Sequence, residues 1–106
     1  MPAKSILHVM TRPASPEVTD EYNRWYEDAH MPEVVALEGF VSARRYGPTK
    51  DGDPYVAVYE IEGDATEAMK RLNQAMGDGS VSLSDKVQMD PPPQMHVFEL
   101  IKEIAG

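Results

Sequence analysis

The sequence predicts an α+β sandwich built in the order β-α-β-β-α-β. Three observations carry that expectation. Apolar residues alternate in several short segments, they recur at helical spacing in two longer ones, and Gly/Pro/Asp clusters punctuate the chain between them. A chain of 106 residues has room for one core, so residues 1–106 are expected to form a single domain.

Ser5 to Thr11 reads as the first strand, with Ile6, His8 and Met10 on one face and Leu7 and Val9 on the other. Ser15 stands at a helix N-cap and Pro16 at the first helical position, where its missing N–H costs nothing. The helix is expected to end near Ala29, because Pro32 disfavours helical geometry at Met31, and a short helical turn is expected to follow and feed the next strand. Phe40 to Tyr46 and Tyr55 to Ile61 read as strands, joined as a hairpin by the polar loop Gly47 to Pro54. Asp64 with Glu67 resembles a capping box and opens a second helix, whose apolar positions are Ala65, Ala68, Met69, Leu72 and Met76 and whose end falls at Gly77. Residues 77–93 read as irregular, either a lid over a pocket or an arm reaching a partner subunit, and the three prolines at its end favour a fixed arm. Met95 to Ile104 reads as the last strand.

This order is that of a ferredoxin-like sandwich, a four-stranded antiparallel sheet with two helices. Such a sheet needs apolar residues on one face only, yet Ile6/Met10 oppose Leu7/Val9 and Val97/Ile101 oppose Phe98/Leu100. The second face needs a cover. Face-to-face pairing of two copies into a dimeric α+β barrel supplies one, so a homodimer is expected; the alternative is a monomer with an apolar ligand cleft.

The formal net charge of −8 argues against nucleic acid and anionic membrane as partners. The absence of cysteine excludes disulfides and thiolate chemistry. With no apolar leader segment and no membrane-length apolar run, a cytoplasmic protein is expected.

The first helix carries the functional signal. At helical spacing Val18, Tyr22, Trp25, Tyr26 and Ala29 form a core stripe, edged by Asn23, Tyr26 and His30. Amide, phenol and imidazole beside an apolar wall suit a small-molecule pocket; the plain alternative is that His30 only caps the helix. Near a helix C-terminus, with Asp28 and Glu33 close, the imidazole is expected to hold its proton at least as well as usual unless burial opposes it. His8 could face the pocket or be a satisfied core histidine, and either Arg44 or Arg45 must point inward from its strand. His30-x-x-Glu33 has a metal-like spacing, but Pro32 interrupts it, and no metal is expected.

Trp25-Tyr26-x-x-x-His30-x-Pro32, followed by Leu37-x-Gly39-Phe40 and Ala43-Arg44-Arg45-Tyr46, resembles the EthD-like group of dimeric α+β barrel proteins, relatives of muconolactone isomerases and small polyketide cyclases. The resemblance spans the chain in element order and is sharpest from Tyr22 to Tyr46. It implies a homodimer, no cofactor in many members, and a pocket between sheet and helices lined by the histidine matching His30.

The expectation is therefore a cofactor-free enzyme moving protons on a small apolar oxygenated or aromatic substrate, as an isomerase, cyclase, dehydratase or lyase. His30 would be its general acid/base. Tyr26 would hydrogen-bond the substrate or orient the imidazole, while Asn23, His8, Trp25, Arg44 and Tyr59 would bind substrate. The alternatives are a cofactor-independent monooxygenase of the same barrel superfamily and a non-catalytic ligand-binding dimer.

Overall fold

A computed structural model describes residues 4–106. Its strands are β1 (Lys4–Thr11), β2 (Phe40–Tyr46), β3 (Tyr55–Glu62) and β4 (Gln94–Glu99), all paired antiparallel in the order β2-β3-β1-β4. Registers such as Leu7↔Tyr59 and Val9↔Ala57 place the buried side chains of β1 and β3 on the face covered by helices. Ile6, His8, Met10 and Phe98 fall on the other face.

The helices are α1 (Thr19–Trp25), α2 (Met31–Val35) and α3 (Ala65–Asp78). A 3₁₀ turn (Pro16–Val18) leads into α1, and a π turn (Tyr26–His30) joins α1 to α2. Contrary to the sequence expectation, the chain does not leave helical geometry before Pro32: Met31 stays in the right-handed helical region and donates its N–H to the Tyr26 carbonyl, five residues back. A proline inside a regular α-helix lacks its own donor and crowds the carbonyl four residues earlier. The wider π turn absorbs that conflict, and such turns recur at functional sites.

Asp64 caps α3 by accepting the backbone N–H groups of Thr66 (2.9 Å) and Glu67 (3.3 Å). Helix α3 passes through Gly77 and ends at Gly79, whose φ of +87° supplies the left-handed residue a helix terminus needs. Gly39 enters β2 at φ +100°, and a Cβ there would lie 3.1 Å from the Ala68 Cβ. The glycine of the Leu37-x-Gly39-Phe40 motif thus serves the close approach of β2 to α3.

The last strand is shorter than expected. It ends at Glu99; the Leu100 N–H still donates to the Lys4 carbonyl (2.9 Å), and residues 100–106 run on as exposed irregular chain. No helix among the described residues is long and apolar enough to cross a membrane.

Candidate functional site

A cavity of about 450 Å³ lies between the sheet and the helices. Leu7, Val9 and Thr11 of β1 and Tyr59 of β3 form its floor, while Trp25, Tyr26, His30, Val34, Leu72 and Met76 form the helical wall. Leu83, Ser84, Val87, Met89 and Pro93 cover it. Residues 80–93 therefore form a strap over the chain's own cavity. Ala14 N–H donates to Lys86 O (2.6 Å) and Gln88 N–H to Arg12 O (2.8 Å), with Val81 N–H on Ala75 O at the strap's start. Val81 and Val87 are buried in the core.

His30 sits at the end of the π turn. In a regular α-helix, residues five apart point about 140° away from each other; the π turn brings them round, and the Trp25 and His30 rings meet at 4.7 Å. Tyr26 packs edge-on against both, at 5.2 Å from each. The His30 Nδ1 lies 3.1 Å from the Ser82 carbonyl, which can only accept, so Nδ1 carries the hydrogen. Nε2 is left with a lone pair and no hydrogen-bond partner among the described residues.

Burial lowers the His30 pKa below its usual 6.5, against the opposing pull of the Ser82 carbonyl and the Glu33 carboxylate. The expectation of a well-held proton applies only where burial does not oppose it, and here burial does: desolvation outweighs the charges nearby. At neutral pH the side chain is a neutral base.

The tyrosines are neutral donors. Burial pushes Tyr26 up to about 12 and Tyr59 higher still. Arg45 lies inside, its guanidinium carbon 4.3 Å from the Tyr26 ring centroid, 5.0 Å from Tyr55 and 5.2 Å from Tyr22. Its charge favours phenolate, but burial dominates. Tyr22 is spoken for by Thr11, through a bond between their hydroxyls. Two residues of the cavity wall are different: the Trp25 indole N–H and the Tyr59 hydroxyl are buried and have no hydrogen-bond partner among the described residues.

The structure brings His30, Tyr26, Trp25 and Tyr59 together on this cavity and places three other residues elsewhere. Arg44 pairs with Val58 on the outer face of the sheet, lining a groove with Ser42, Glu60 and Phe98, while its neighbour Arg45 takes the inward position. His8 is on the same outer face, with its ring 5.9 Å from Phe98. Asn23 has a buried side-chain oxygen with no hydrogen-bond partner among the described residues, but lies outside the cavity wall. Alternation alone cannot say which of two adjacent arginines points in, and a one-residue bulge between Phe40 and Ser42 shifts the β2 register. Thr11, Ser82 and the strap's apolar residues were missed. The signal for the strap was Val81, Leu83, Val87 and Met89 recurring at even spacings within a polar stretch.

No family model and no curated protein matches the chain. Solved structures do. One is a candidate monooxygenase from Shewanella loihica PV-4, at TM-score 0.63 and 18% identity over 97% of this chain and 99% of that one. Another is an MhuD variant with two manganese protoporphyrin IX molecules bound per active site, at TM-score 0.67 and 14% identity over 96% of this chain and 99% of that one. At such identities the likeness is one of fold, and the fold is a ferredoxin-like α+β sandwich.

Proposed function

We propose that the cavity binds a small apolar aromatic molecule bearing a hydroxyl and a second oxygen, and that His30 removes a proton from it. The observation carrying this reading is one free imidazole nitrogen in a mostly apolar cavity whose wall also holds two residues with buried donors unpaired among the described residues. Leu7, Val9, Leu72 and Met76 would hold the carbon skeleton, and the Trp25 N–H and Tyr59 hydroxyl would take the ligand's oxygens. The same donors would stabilise the anion left by deprotonation, in a site already organised to receive it. The spacing of Trp25, Tyr26, His30 and Pro32, which resembles the EthD-like group, supports the same role for His30.

Return of the proton to another atom gives an isomerase or cyclase. The candidate monooxygenase among the similar folds favours a second outcome, cofactor-independent oxygenation. There a ring CH₂ activated by deprotonation becomes a carbonyl, one atom of O₂ entering the product and the other leaving as water, with the substrate supplying all the electrons. A porphyrin fits less well: the cavity wall has no Lys or Arg to meet its carboxylates.

The test is a panel of hydroxynaphthalenes, hydroquinones and anthrones. Binding is read by quenching of Trp25, the only tryptophan. Turnover is read by solvent-deuterium exchange at the acidic carbon and by oxygen uptake. Either activity, lost in His30→Gln with binding retained, supports the reading; binding with neither activity would leave a ligand-binding protein.

A homodimer belongs to the same proposal. The sheet's outer face carries Ile6, Met10, Val56 and Val58, beside Phe98 at 51% exposed, and a second copy of that face is the simplest cover.

A further inference from the structure

We propose that Glu33 is a positioning residue for His30, acting through the strap residue Ser82. The inference rests on the reading of His30 as the base, but its geometry stands apart from any substrate. His30 and Glu33 are three residues apart, so their side chains leave the helix on the same side. Both meet Ser82 rather than each other. The Glu33 Oε1 accepts the Ser82 backbone N–H at 2.8 Å and the Ser82 hydroxyl at 2.5 Å, while the Ser82 carbonyl accepts from His30 Nδ1 at 3.1 Å. One strap residue is thus held by its N–H and hydroxyl from one side and used by its carbonyl on the other.

The consequence is chemical. Free histidine prefers its hydrogen on Nε2, a tautomer that would face the cavity with a donor. The Ser82 carbonyl selects the opposite tautomer, and the lone pair on Nε2 is what a base requires. A carbonyl on an irregular segment holds a tautomer only if the segment is itself held. Glu33 supplies that, and the two bonds from Ser82 keep its carboxyl below the usual range and therefore ionised. The rings of Trp25 and Tyr26 fix the imidazole plane from other directions. The metal-like spacing His30-x-x-Glu33 accordingly serves a hydrogen-bond relay, with no group of three or more metal-binding side chains gathered among the described residues.

The test is ¹⁵N NMR of histidine-labelled protein without ligand, at a pH where the imidazole is neutral, with the His30 signals assigned by their loss in His30→Gln. The parent should show a protonated-type shift at Nδ1 and an unprotonated-type shift at Nε2. Glu33→Ala should move both shifts toward the averaged values of a tautomer mixture. Glu33→Gln, which keeps the acceptor, should restore the parent pattern. If Glu33→Ala does not fold, Glu33→Asp withdraws the carboxylate by one methylene and should give the same mixing. Parent-like shifts in the folded Ala or Asp variant, or the Nε2–H tautomer in the parent, would overturn the proposal. Ligand binding, read separately by Trp25 fluorescence, distinguishes failure of the relay from failure of the base reading.

Discussion

Replacing Tyr59 by Phe is expected to separate stability from binding. Tyr59 is 1% exposed and its hydroxyl makes no hydrogen bond of good geometry among the described residues, although it lies close enough to the Tyr26 hydroxyl for each to disturb the other's ionisation. A buried hydroxyl left unpaired costs about 1–3 kcal/mol. The Phe ring keeps the edge-on contact with Phe40, whose centroid is 6.4 Å away, so little apolar packing is lost. At the low end of that range, the unliganded variant should gain about 1 kcal/mol. For a domain of this size that raises the melting temperature by roughly 4 °C. Affinity should move the other way. A ligand oxygen that met the Tyr59 hydroxyl loses a neutral hydrogen bond, about 1 kcal/mol or roughly fivefold in Kd. Thermal melts followed by circular dichroism give the first quantity and Trp25 quenching gives the second. A variant that melts below the parent would show that the hydroxyl is already satisfied without ligand, and the argument from unpaired donors would fail.

Gly39→Ala should destabilise by about 2 kcal/mol, visible in a denaturant melt, because the φ of +100° suits no side chain and the new Cβ would press on Ala68. The pH dependence of stability should carry a His30 limb. With its folded pKa below 6.5, the unfolded chain binds the proton first, so stability falls as pH drops below about 6.5 until the folded imidazole titrates too; His30→Gln should flatten that limb in melts across this range. Phe98→Glu places a charge on the sheet's outer face, on the edge strand β4, and analytical ultracentrifugation should then find monomer where the parent is expected to sediment as a dimer.

The strands were legible because the period-two alternation of β1 and β3 directly reports a face packed on helices: Leu7, Val9, Ala57, Tyr59 and Ile61 are all buried. The end of the first helix was not, because the rule that proline ends a helix assumes a regular one; the π turn before Pro32 is a tertiary compromise with no local signature. That turn is also what sets the ring of His30 against Trp25, so site geometry and helix boundary were missed for one reason. The pKa direction of His30 depends on burial by the strap, a contact between residues 52 positions apart that no window of sequence contains. Arg45 was legible only as one of a pair, since its inward position follows from the bulge that sets the β2 register.

In the proposed site, His30 offers a bare Nε2 to a ligand oxygen or its neighbouring carbon inside this cavity. A co-crystal structure with the panel aromatic that most strongly quenches Trp25 tests it most directly. The ligand's hydroxyl should lie within about 2.6–3.2 Å of His30 Nε2, with its second oxygen on the Trp25 indole N–H. A ligand seated in the groove beside Arg44 on the outer face, or one in the cavity with its hydroxyl turned away from His30, would contradict it.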